Sequence, residues 1–213
     1  MSRMVSVVLM MISFAALAGP AGGQVSDAAW LRLFDGKTLD GWKASENTGT
    51  FTVQDGAIVA RGARSHLFYT GPVEDAQFQD FELKVEVMTE PGSNGGIYFH
   101  TQYQEQDWPR AGFESQVNVT HSDWIKTGSL YGLVNIGRAA APDKQWWTQE
   151  IIVKGKSITV LVNGERVFEY NEPAGAQAGQ PFARKLDKGT FALQAHDPKS
   201  IIRYRNIRVK RLD

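Results

Sequence analysis

Phe81-Glu82-Leu83-Lys84-Val85-Glu86-Val87 alternates an apolar side chain with a charged one at every step. Side chains along a β-strand point to opposite faces in turn, so this period of two makes one apolar face and one charged face, the pattern of a half-buried strand. A helix, with 3.6 residues per turn, would scatter the same residues around its axis. Working outward, the turn Pro91-Gly92-Ser93-Asn94-Gly95-Gly96 leads into a second strand at Ile97–Thr101, and a third follows at Phe113–Val119. Ser157–Val162 and Arg166–Tyr170 flank Asn163-Gly164, a strong signal for a two-residue hairpin turn. Thr190–His196 and Tyr204–Lys210 close the chain, and no stretch keeps helical spacing for more than a turn or two. The expected fold is all-β: two antiparallel sheets packed as a sandwich of the jelly-roll type.

The N-terminus reads differently. Arg3, an apolar run from Val5 to Leu17 and small residues from Ala18 to Gly23 have the form of a secretory signal peptide, with cleavage after Ala18 or Gly23. The apolar run falls short of the roughly 20 residues that span a bilayer. The expectation is an exported protein, periplasmic or extracellular, with residues 1–23 removed and residues 24–213 forming a single domain. The 23 basic and 23 acidic residues balance, so no net field draws the chain to nucleic acid or to an anionic membrane. With no cysteine, thiol catalysis, disulfides and cysteine-ligated zinc are all excluded. Phosphate-binding loops, dinucleotide fingerprints, Gly-x-Ser-x-Gly elbows and His-Glu-x-x-His helices are likewise missing from the sequence. A divalent metal could bind only if the fold gathers the four scattered histidines.

Candidate chemistry concentrates on two strands. In Phe113–Val119, alternation puts Glu114, Gln116 and Asn118 on one face, a carboxylate followed by two amides. Amides both donate and accept, which suits sugar hydroxyls. Jelly-roll glycosidases often carry two carboxylates at such alternate positions, but here the second is Gln116, so two-carboxylate hydrolysis on this strand is disfavoured. Near the end, Gln194 and His196 share a face just before the turn Asp197-Pro198. Two candidates for a catalytic base follow. His196 accepts a proton near neutral pH with little tuning and is the expected base, with Glu114 orienting it, whereas Glu114 itself needs burial to raise its pKa. Tyr98 and His100 form a similar polar-aromatic face, and Trp108 could stack on a sugar from its loop. The segment Glu172–Lys188, rich in Gly, Ala and Pro, reads as a long loop, a type that often carries function.

Several blocks resemble the 3-keto-disaccharide hydrolase family. They are Leu33-Phe34-Asp35-Gly36-Lys37-Thr38-Leu39-Asp40-Gly41-Trp42, Asp80-Phe81-Glu82-Leu83, Ser93-Asn94-Gly95-Gly96-Ile97-Tyr98-Phe99 and Gly112-Phe113-Glu114-Ser115-Gln116-Val117. Thr127-Gly128-Ser129-Leu130-Tyr131-Gly132, Leu193-Gln194-Ala195-His196 and Tyr204-Arg205-Asn206-Ile207-Arg208-Val209 continue the family's order. The resemblance implies a concanavalin-like jelly roll that cleaves glycosides already oxidised to a ketone at C3. Such a ketone acidifies the C2 proton, so one base suffices to start elimination. The resemblance carries over Glu114, Gln116, Gln194, His196 and Tyr131 as functional residues. It implies a glycoside or oligosaccharide substrate and an upstream sugar 3-oxidoreductase. The chain departs from the family at Asn118-Val119-Thr120, where many members carry an acidic residue. The same fold and polar face would also serve a non-catalytic, lectin-like carbohydrate-binding module.

Overall fold

The computed structural model describes residues 30–212, so the expected signal peptide lies outside the described residues. The strands are β1 (Leu31–Arg32), β2 (Trp42–Ala44), β3 (Phe51–Gln54), β4 (Ala57–Arg61), β5 (Ser65–Tyr69), β6 (Phe81–Thr89), β7 (Asn94–Thr101), β8 (Phe113–Asn118), β9 (Trp147–Lys154), β10 (Ser157–Val162), β11 (Glu165–Asn171), β12 (Thr190–Ala195) and β13 (Ile201–Arg211). They form two antiparallel sheets. The larger runs β11-β10-β9-β6-β13-β4-β3, with β1 also on β13, and the smaller runs β2-β5-β12-β7-β8. This is the expected two-sheet sandwich. No helix among the described residues is long and apolar enough to cross a membrane.

All seven expected strands are present, with shifted ends. β7 starts at Asn94, inside the expected turn, while β12 stops at Ala195 and leaves His196 just beyond it. Asn163 and Gly164 both take positive φ, 53° and 80°, as a hairpin turn matching the strand twist requires.

The alternation of β6 does what its sequence demands. Phe81, Leu83, Val85 and Val87 are at most 1% exposed and face the smaller sheet. Glu82 and Lys84 face outward, where Lys84 Nζ lies 3.0 Å from Glu82 and 3.2 Å from Glu150. Such partly solvated pairs stabilise weakly, so the apolar face dominates the energetics. Polar ties cross the interior between the sheets, among them Gln149 Nε2, on β9, which donates to Ser115 Oγ at 2.8 Å and to Gln116 O at 3.1 Å. That tie fixes β8 against the larger sheet and leaves the other face of β8 for the site.

Leu83→Ala should therefore cost about 2–5 kcal/mol in urea unfolding, and Lys84→Ala less than about 1 kcal/mol. Equal costs would contradict this account of β6.

Candidate active site

Strand register assembles a polar row on the outer face of the smaller sheet. Gln194 on β12 pairs with His66 on β5, and Gly96 on β7 pairs with Gln116 on β8. Leu193 pairs with Ile97, which sets Gln194 beside Gly96 and completes the row His66–Gln194–Gly96–Gln116. One step along the strands, Tyr98 pairs with Glu114. Of these, Tyr98, Glu114, Gln116 and Gln194 form the floor of a pocket of about 460 Å³, large enough for a small sugar.

Glu114 is the centre of that floor. Its Oε2 accepts from the Tyr98 hydroxyl at 2.7 Å and its Oε1 from Gln194 Nε2 at 3.0 Å. Reaching Gln194 means crossing β7, and Gly96 makes the crossing feasible: a Cβ there would lie 2.3 Å from Glu114 Oε1. Glu114 is only 5% exposed. Burial pushes its carboxyl up to about 7, against the opposing pull of Tyr98, Arg184 and Gln194. The condition that Glu114 needed to serve as a base near neutral pH is therefore met.

His196 lines the same pocket, with its ring between Trp108 (centroids 5.3 Å apart) and His121 (5.7 Å). Its Nδ1 lies 3.0 Å from Asp197 Oδ2. A carboxylate only accepts, so Nδ1 carries the proton in this contact. Trp108 also packs edge-on over His66. Its loop is braced by Gln104, whose Nε2 donates to the carbonyls of Gln106 and Trp108. Tyr131 lines the pocket beside β8, and its backbone N–H donates to Glu114 O at 3.0 Å.

Two sequence-predicted binding residues lie elsewhere. His100 has φ 53°, which breaks the strand alternation. Its ring packs against Phe81 and Phe99, with Nε2 2.8 Å from Gln79 O, so it is a core residue. Asn118 shares the Glu114 face, but its Nδ2 donates to the carbonyls of Asp123 and Ile125 and its Oδ1 accepts from His121 N. It anchors the 121–125 loop instead of meeting a ligand. That loop brings Asp123 to the pocket, so an acidic side chain does enter the site.

Sequence reasoning also missed Asn94, Gln180, Phe182 and Arg184, which line the pocket. The last three come from the Glu172–Lys188 loop, for which only a general functional role was legible. His66, beneath Trp108, is fully buried with both ring nitrogens unpartnered. Burial lowers its pKa to about 3, so it is neutral.

A divalent metal does not fit this donor set. Among the described residues no three His, Asp or Glu side chains converge as ligands. Both Glu114 oxygens already accept from N–H and O–H groups, which a cation would have to displace.

Together these features define an antiparallel β-sandwich with a sugar-sized polar pocket on one sheet. The sequence pattern of the 3-keto-α-glucoside-1,2-lyase-like domain matches residues 29–210, and the chain belongs to that family. A curated relative, the 3-keto-disaccharide hydrolase of Bacteroides thetaiotaomicron, is 26% identical over 86% of this chain and 79% of its own length. A solved structure of a candidate glycosyl hydrolase from Parabacteroides distasonis aligns with a TM-score of 0.72 at 21% identity, covering 87% of this chain and 95% of its own. A carbohydrate-binding module from Bacillus subtilis aligns at 0.58 and 11% identity, covering 80% of this chain and 95% of its own, which places both in one fold.

The raised Glu114 pKa has a consequence for stability. The native state holds this proton up to about pH 7, whereas the unfolded chain releases it near 4.5. Its stabilising contribution is therefore full below pH 4.5 and lost as pH rises through 7. Glu114→Gln should gain on the wild type by on the order of 3 kcal/mol between pH 5 and pH 8 in chemical unfolding. A gap independent of pH would contradict the burial argument.

Proposed function

We propose that this protein cleaves glycosides whose sugar carries a ketone at C3, by elimination across C1 and C2, with Glu114 as the base. The observation that carries the reading is a buried carboxylate, tuned to about 7, on the floor of a sugar-sized pocket with no second carboxylate on its strand face. Family membership and the name of the Bacteroides relative support the substrate class.

In this reading Glu114 takes the C2 proton, and the C2–H electrons form an enolate with the ketone. The enolate then re-forms the C3 carbonyl as a C1–C2 double bond forms and the C1–O bond to the leaving group breaks. His196 acts here as the imidazolium: Asp197 holds the Nδ1 proton, and Nε2 gives its own proton to the departing oxygen, leaving the ring neutral. Adding water to the C1–C2 double bond completes a net hydrolysis. The unoxidised glycoside lacks the acidifying ketone and should not react. A separate sugar 3-oxidoreductase must make the ketone, and the Arg3–Gly23 segment supports export as a signal peptide.

The lectin-like reading keeps one specific support: a pocket floor carrying Gln116 and Gln194 suits binding as well as turnover. Turnover separates the two. Wild-type protein should release the aglycone from a 3-keto-glucoside and leave the parent glucoside intact. Deuterium exchange at C2 should persist in His196→Ala, whose release step falls about a hundredfold, and disappear in Glu114→Gln. Exchange lost only in His196→Ala would make the imidazole the base, and binding of both sugars without turnover would favour the lectin.

A further inference from the structure

The two glutamines of the floor are oriented acceptors. Gln116 Nε2 donates to Asn94 Oδ1 at 2.9 Å, and Gln194 Nε2 donates to the Tyr98 hydroxyl at 3.1 Å and to Glu114 Oε1 at 3.0 Å. Both N–H groups of Gln194 and one of the two on Gln116 are thus committed to the protein. Both Oε1 atoms are buried and have no partner. Leaving a buried acceptor unpaired is unfavourable by about 1–3 kcal/mol, and a ligand hydroxyl donating to it removes that cost. A ketone has no hydrogen to donate. The glutamine side of the pocket is therefore richer in free acceptors than in free donors, and a C3 ketone is better served by a donor from another wall.

Arg184 is that donor. It is the only Lys or Arg among the described residues that line the pocket. One guanidinium N–H is committed, Nη1 to Gly112 O at 2.9 Å, and the group lies over the Phe182 ring at 5.0 Å from its centroid. Among the described residues no carboxylate lies within ion-pair distance of it, so most of its five N–H donors stay available to a ligand. Its charge nonetheless reaches the base, since it pulls the Glu114 pKa down against the effect of burial.

We infer that Arg184 binds the C3 carbonyl oxygen and stabilises the negative charge that forms there as Glu114 removes the C2 proton. This assignment rests on the elimination reading above. The pocket then orients the sugar by polarity, with hydroxyls on Gln116 and Gln194 and the ketone on the guanidinium. A fixed cation held ready where charge develops lowers the barrier without reorganising during the reaction.

The test compares wild type, Arg184→Gln and Arg184→Lys on a 3-keto-glucoside and its unoxidised parent. Arg184→Gln should lose about a hundredfold or more in kcat and in C2 deuterium exchange. Arg184→Lys should recover part of both, and affinity for the parent glucoside should change less than about threefold, since that sugar has no ketone to lose. Wild-type exchange in Arg184→Gln, or an equal loss of affinity for both sugars, would overturn the assignment. Wild-type protein that binds but never turns over defeats the elimination reading alone. In that case a preference for the 3-keto sugar that Arg184→Gln abolishes supports the assignment, and equal affinities in both proteins overturn it.

Discussion

The hydrogen bond between Glu114 and Gln194 spans three strands, and the site depends on it. Glu114 stands on β8 and Gln194 on β12, with β7 between them, so the carboxylate must lie flat across β7. Gly96 leaves the gap in which it lies. Once there, the carboxyl is shielded from water, and its pKa rises. Together with the Tyr98 contact, the same bond commits both Gln194 amide hydrogens and leaves the buried amide oxygen an unpartnered acceptor. One missing side chain therefore sets both the acid–base character of the floor and the polarity of its hydrogen bonds.

The walls depend on local braces of a different kind. Asn118 holds the 121–125 loop through three backbone contacts, and Gln104 holds the Trp108 loop in the same way. These are polar side chains used up on backbone groups, which loops without ladder bonds need. The 172–188 loop is tied down by a parallel bridge, Ala111 to Ala183, and by bonds from Arg184 Nη1 to Gly112 O and from Asp187 N to His100 Nδ1. In the proposed reading the sheet supplies the base and the acceptors, and the loops supply the aromatic, the cation and the second proton carrier.

What the sequence disclosed follows the same division. Alternation in Phe81–Val87 and in Phe113–Val119 identified the sandwich and put Glu114 and Gln116 on one face, because strand parity is a local property. Parity also misled. His100 keeps the right spacing from Tyr98, yet its positive φ turns it into the core, and nothing in Phe99-His100-Thr101 announces that. Asn118 shares the face of Glu114, but its partners come from a turn whose course depends on the tertiary fold. Arg184 carried no signal of its own, since a lone Arg in a long loop reads as solvated. β5, Ser65–Tyr69, is buried throughout, so His66 had no polar alternation to mark it.

The central claim is that burial between β7 and β8 makes Glu114 a base matched to neutral pH. Its carboxyl carbon, assigned in ¹³C-labelled protein by comparing wild type with Glu114→Gln, can be titrated directly by NMR. The account predicts a midpoint near 7, well above the ordinary 4.5. A midpoint at 4.5 would mean that the carboxylate is solvated and that the site as described does not exist.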